Sequence, residues 1–218
     1  MAKRRRLNRR VVIILGILLT LVLLIGAAGA YRYRDRLFPK DPVLYAARGD
    51  EAHARGEYGA AVRAYKVAAG ASQKPVYYFK LAQVELDWAF KAPDLKDVER
   101  RKHYEQGRAF LNHALLLDAR LVEAQALRCD LTWDEANVRS NWETFIREAD
   151  KLLALDTQNH KTLWRRAMAN ARLAQTVKGD HAEKALADFR AALKLAPDQT
   201  DYWLGLAQFH TQASAPQQ

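Results

Sequence analysis

Twenty consecutive residues, VVIILGILLTLVLLIGAAGA from Val11 to Ala30, carry no charge. An α-helix rises about 1.5 Å per residue, so a run of this length reaches roughly 30 Å, the thickness of a bilayer's hydrocarbon core. A helix buried in a soluble core rarely needs so long a stretch without one charge. The run therefore predicts a single-pass transmembrane helix over 11–30, with the lipid bilayer as its partner. A basic cytoplasmic tail (1–10) would precede it and a juxtamembrane linker (31–41) would follow.

Flanking charge sets the expected orientation. Lys3, Arg4, Arg5, Arg6, Arg9 and Arg10 precede the run, with no acid among them; Arg32, Arg34, Arg36 and Lys40 follow it, interrupted by Asp35. Positive charge is retained on the cytoplasmic side. The N-terminus is thus expected inside and residues 31 onward outside the cytoplasm, which in a bacterium means an inner-membrane protein facing the periplasm. A cleaved signal peptide is the alternative, since a basic start, an apolar core and Ala28-Gly29-Ala30 also fit that pattern. Both readings deliver the remaining chain outside the cytoplasm.

The net charge of +10 is concentrated at this end. Residues 1–40 hold ten Lys/Arg and one acid, whereas 41–218 hold 25 and 24. The folded part is close to neutral, so no basic surface for nucleic acid is expected. The lone Cys129 cannot form an internal disulfide and reads as a small buried residue.

Beyond Pro42, alanine and leucine recur at three- and four-residue spacings and no useful stretch alternates with period two. The spacing predicts an all-α fold with helices near 43–55, 58–71, 75–91, 95–118, 121–135, 141–156, 160–177, 181–195 and 199–212. Ser140-x-x-Glu143 and Asp180-x-x-Glu183 match the capping box, and Asp94-x-x-Asp97 follows Pro93. The polar end, 213–218, is expected to be a disordered tail.

Paired helices suggest a repeat. Over 42–75 the chain places Tyr45, Gly49, Gly56, Tyr58, Ala61, Tyr65 and Ala68; over 160–197 it places Ala167, Ala185, Phe189, Ala192 and Pro197. Small residues at these spacings let two helices approach, and the large ones fill the gaps beside them. This resembles the tetratricopeptide repeat, a helix–turn–helix unit of about 34 residues. The middle repeats are longer: Tyr78, Leu81 and Ala82 are separated from Gly107, Leu111 and Ala114 by an insertion, and Cys129, Phe145, Ala149 and Leu152 carry a shorter one. Trp203, Leu206 and Ala207 open a fifth first helix, with Trp203 and Leu206 turned inward. The resemblance implies an α-solenoid of about four helix pairs plus a capping helix over 42–212.

It also implies a working groove lined by the first helices. Carried over residue by residue, the groove positions are Ala46, Asp50 and His53; Phe79, Gln83 and Leu86; Ala126, Asp130 and Trp133; and Trp164, Met168 and Ala171. The Lys, Asn and Arg side chains with which some members hold a terminal carboxylate are replaced by Ala46, Asp50, Ala126 and Asp130, and the aspartates would repel that ligand. Phe79, Gln83, Asp130, Trp133, Trp164 and Met168 form the candidate protein-binding groove; packing between helices is the competing reading for the aromatics. The expected function is a membrane-anchored protein-interaction scaffold with a protein or peptide partner. The alternatives are an export- or envelope-associated chaperone for unfolded segments, or the front of a longer repeat array.

Motifs of catalysis are missing from the sequence. The six histidines offer no helical zinc pair, and there is no Gly-rich phosphate loop. Glu85 and Asp87, two apart on one helix, face different directions and read as solvated surface. Glu99-Arg-Arg-Lys102 reads as an exposed charged face. No enzyme activity, cofactor or metal is expected.

Overall fold

The computed structural model describes residues 16–24 and 40–214. All regular structure among them is helical. Residues 16–24 are helical and are labelled α1. They are followed by α2 (Pro42–Ala54), α3 (Tyr58–Ser72), α4 (Pro75–Lys91), α5 (Asp97–Leu117), α6 (Val122–Arg139), α7 (Trp142–Leu155), α8 (His160–Leu173), α9 (His181–Leu195) and α10 (Thr200–Ser214).

The spanning helix expected over 11–30 is corrected. In that stretch the structure describes residues 16–24, which are helical. Among the described residues no helix is long and apolar enough to cross a membrane. The inner-membrane, periplasm-facing placement rested on that helix and is overturned with it, and the lipid contact is left without support. The rest of the expectation, over 1–15 and 25–39, lies outside the described residues, as does the tail beyond 214.

The chain divides into two compact units, Met1–Gln73 and Lys74–Gln218. In the first, α2 and α3 form one hairpin. Asp41 caps α2 by accepting from the Val43 amide at 2.9 Å, and Pro42 occupies the first turn, where its missing N–H costs nothing. Gly56, at φ +73°, makes the turn. The two helices touch where Gly49 meets Tyr65: a Cβ on Gly49 would lie 2.5 Å from the ring. That ring is 1% exposed and its hydroxyl donates to Asp50 Oδ1 at 2.7 Å.

The second unit holds three hairpins and α10. In the first hairpin, α4 and α5 approach through Gly107, where an added Cβ would stand 2.7 Å from Leu86 Cγ and 3.2 Å from the Ala82 carbonyl oxygen. Because backbone lies on one side, little can yield. Gly107→Ala is expected to destabilise by about 1–3 kcal/mol through overpacking, read as a lower urea midpoint with an unchanged slope.

Two charged segments of this hairpin depart from their expected exposure. Glu85 is 1% exposed, and its Oε2 lies 2.6 Å from His103 Nδ1, whose ring stacks on Trp88. The carboxyl is buried because α5 supplies a partner at that level. Arg100 turns back from α5 and donates to the carbonyls of Ala89 (2.6 Å), Leu95 (3.3 Å) and Ala92 (3.5 Å), satisfying acceptors that the end of α4 leaves free. Glu99, Arg101 and Lys102 remain exposed, as expected.

Hairpins α6/α7 and α8/α9 repeat the plan. Phe145, Ala149 and Leu152 of α7 pack on Cys129 and Ala136 of α6, and Phe189 and Ala185 of α9 pack on Ala167 of α8. The capping boxes do not form. Ser140 terminates α6 in the left-handed conformation (φ 57°), its amide bonded to Ala136 O, and leaves Asn141 as the residue before α7. Asp180 pairs with Lys184 at 2.9 Å instead of capping α9.

Burial raises the Cys129 thiol to about 12, with the Asp130 charge adding to the rise. The unfolded thiol titrates near 8.5. Between those values only the unfolded chain releases the proton, so this contribution to stability is full below about pH 8.5 and falls as pH rises. At pH 8 a thiol-reactive dye is expected to label Cys129 at the unfolding rate only; prompt labelling of the folded protein would contradict the burial.

Candidate functional site

The candidate residues sit on first helices of the second unit. Spacing along α6 puts Asp130 and Trp133 on one face, and spacing along α8 does the same for Trp164 and Met168. Trp133 stands in mid-helix, since α6 runs on to Arg139. It packs edge-on against Phe145 (centroids 5.0 Å, 65°) and Trp142 (5.8 Å, 60°), and its ring lies 6.2 Å from that of Trp164. Trp164 in turn stacks on Tyr202 of α10 at 5.4 Å and 19°. A row of three aromatic rings thus crosses α6, α8 and α10. Trp133 and Trp164 are half-buried, so their inner edges belong to the core while part of each ring faces outward. Both readings of the aromatics describe a portion of the same side chain.

Charge frames this row. Arg165 lies over the Trp133 ring, 5.3 Å from its centroid, and also reaches Asp130 Oδ1; Lys161 reaches the same oxygen at 3.1 Å. The guanidinium is held by an aromatic face and a carboxylate together. Asp130 is therefore neutralised, and the face presents a satisfied ion cluster in place of a bare negative charge.

Met168 lines a shallow pocket of about 130 Å³ with Ala171, Arg172, Gly205, Gln208 and Phe209. At Gly205 the backbone of α10 packs closely on its neighbours. A Cβ there would stand 3.0 Å from Trp164 Nε1, 3.2 Å from Phe189 and 3.3 Å from Met168 Sδ. The Trp164 N–H is buried under α10 without a hydrogen-bond partner. Tyr202 is fixed from the other side by His160, Nδ1 to hydroxyl at 2.8 Å, and burial pushes its phenol upward.

Phe79 and Gln83 lie elsewhere on the row of first helices. Phe79 is half-buried against the cluster of Leu86, Leu111, Ala124 and Leu131, and Gln83 is exposed on α4. The structure brings Asp130, Trp133, Trp164 and Met168 together and leaves those two apart.

Sequence spacing missed Arg165, Tyr202 and Gly205. The pair Lys161/Arg165, one turn apart on α8, was a visible signal that an acid on the neighbouring helix would be met. Tyr202 and Gly205 were hidden by the register expected of α10. Trp203 is 54% exposed, its Nε1 bonded to Pro197 O at 2.9 Å, while Tyr202 and Phe209 face inward. Among the described residues no second helix follows α10 to cover the side carrying Trp203. Leu206 does reach the inner clusters, half-buried.

No protein-family model and no curated protein matches the chain. Solved structures do resemble it. The MamA protein superposes with a TM-score of 0.58 at 15% identity, covering 79% of this chain and 82% of that one. TTC0263, a thermophilic TPR protein of Thermus thermophilus, gives 0.52 at 18% identity, covering 90% and 96%. YrrB, described as a TPR protein with an unusual peptide-binding site, gives 0.50 at 17%, covering 91% and 88%. At these identities the likeness establishes the fold, an all-α helical repeat of the tetratricopeptide kind.

Proposed function

We propose that the chain is a protein-interaction module, and that the face built from Asp130, Trp133, Trp164 and Met168 takes a peptide segment of a protein partner. The observation that carries this is the row of half-buried tryptophans framed by the Arg165–Asp130–Lys161 cluster and ending at the Met168 pocket. Aromatic anchors beside a polar rim are the usual energetic centre of an interface. Phe79 and Gln83 on α4 extend the same row of first helices. The peptide-binding site named for YrrB supports the reading by analogy of fold alone. Among the described residues no group of three metal-ligating side chains is present to suggest a metal-dependent role.

A photo-crosslinking amino acid placed at Met168 in the full chain, expressed in its native cells, tests this. Discrete protein adducts are expected from Met168 and not from Val138, which is 83% exposed on α6 away from the pocket. Absence of adducts at Met168, or the same adducts at both positions, would remove the reading.

A further inference from the structure

Two joints between hairpins use the same positions with different residues. Asn112, Leu115, Gln125 and Arg128 precede Asp150, Leu153, Leu163 and Arg166 by thirty-eight residues each, and Glu148 precedes Asp188 by forty. At the second joint Arg166 takes two carboxylates: both oxygens of Asp188 at 2.7 Å, and Asp150 Oδ1 at 2.5 Å. Leu153 and Leu163 close that joint and are buried with Leu193.

At the first joint the arginine is left short. Arg128 donates to the amide oxygen of Asn112, and among the described residues no carboxylate lies within ion-pairing distance of it. Glu148, which corresponds to Asp188, bonds to Lys151 Nζ (2.9 Å) and Gln125 Nε2 (3.0 Å) and feels the Arg128 charge only from beyond ion-pairing distance. Gln125 stands where the next joint has Leu163, and Leu115 is only half-buried where Leu153 is buried. An open slot of about 390 Å³ remains beside Arg128, walled by Leu115, Ala154 and Leu155 and, on its polar side, by Glu148 and Lys151, whose charges offset each other. Leu116, next to Leu115 in the chain, is 80% exposed. None of the tryptophan-face residues lines the slot.

We propose that this slot docks an acidic segment of a partner protein. An Asp or Glu carboxylate of that segment completes the pair that Arg128 lacks, and an adjacent apolar side chain fills the space between Leu115 and Leu155. The fork of a guanidinium matches a carboxylate with two parallel hydrogen bonds, and one amide oxygen leaves most of its five donors unused. The walls supply the apolar half of the recognition. Arg166 shows, within the same chain, the pairing that this position adopts when both acids are present.

The test uses the full chain and three fluorescein-labelled probe peptides that share Gly-Ser flanks and differ in the core: Leu-Glu-Leu, Leu-Gln-Leu and Ser-Glu-Ser. The Leu-Glu-Leu probe is expected to bind at least about tenfold tighter than either other, about the worth of one charge-assisted hydrogen bond. Asn112→Asp supplies the missing carboxylate from within, so it is expected to raise the thermal midpoint and weaken that probe about tenfold. Arg128→Gln is expected to abolish the preference for Glu over Gln. Equal binding of the Glu and Gln cores, binding of neither, or undiminished binding to Asn112→Asp would overturn the proposal. Neither Asn112 nor Arg128 lines the Met168 pocket, so crosslinking from Met168 stands or falls separately.

Discussion

His103→Leu is expected to lower stability by about 3 kcal/mol, the upper end of the cost of leaving a buried polar group without its hydrogen-bond partner. Adding Glu85→Leu should restore most of it. Glu85 is 1% exposed between α4 and α5, and the contact at 2.6 Å to His103 is its hydrogen bond in the structure. The imidazole is itself positioned, stacked on Trp88 at 3.9 Å and 25°. Leucine in its place leaves the carboxyl in an apolar interior, facing the penalty of an unpaired buried polar group. Replacing both partners by apolar residues of similar volume removes that penalty, and such swaps are often neutral or stabilising. Against a total stability of about 5–15 kcal/mol, the single variant would be marginal. Urea unfolding of the four proteins of the cycle checks the claim. Additive effects, with the double variant as weak as the sum of the singles, would show that the pair is not a unit.

This pair also shows where the sequence stops being readable. The spacing of small and aromatic residues located the hairpins, because Gly49 against Tyr65 and Ala167 against Phe189 are contacts set by size at fixed intervals. Asp130, Trp133, Trp164 and Met168 were legible for the same reason: they share faces of two first helices. Glu85 was not, since its burial depends on a histidine eighteen residues on, at the level where a lengthened α5 returns past it. Arg100 was hidden likewise, because its carbonyl partners belong to another helix's end. Ser140 satisfied a capping pattern, yet the backbone used it one step earlier, as the left-handed stop of α6. Trp203 occupied the right repeat position, but its inward turn needed a second helix that is absent among the described residues. The uncharged run over 11–30 stated what a bilayer would accept, while among the described residues no helix is long and apolar enough to cross one.

Arg166→Ala is expected to cost about 3–5 kcal/mol, and the matching Arg128→Ala under about 1 kcal/mol, the net worth of an ordinary hydrogen bond. Arg166 ties three helices. From α8 its Nε and Nη2 reach both oxygens of Asp188 on α9 at 2.7 Å, and its Nη1 reaches Asp150 on α7 at 2.5 Å. The side chains of Arg166 and Asp188 are 23% and 10% exposed, so removing the arginine strands a largely buried carboxylate. Asp150 is 55% exposed and its share is small; Asp150→Asn should cost under about 1 kcal/mol. The Asp188 hydrogen bonds hold the Arg166 guanidinium further above its ordinary value, so the clamp keeps its cation at any pH the protein survives. Arg166→Lys keeps the charge and loses the planar fork, and is expected to recover only part of the loss. Urea midpoints for the four variants decide the matter: equal losses for Arg166→Ala and Arg128→Ala would mean that the two joints are energetically alike, and a lysine variant as stable as the parent would mean that charge, not the fork, holds α8. The same α8 carries Trp164 and Met168, so a slackened clamp should also blunt crosslinking from Met168 in chains that remain folded.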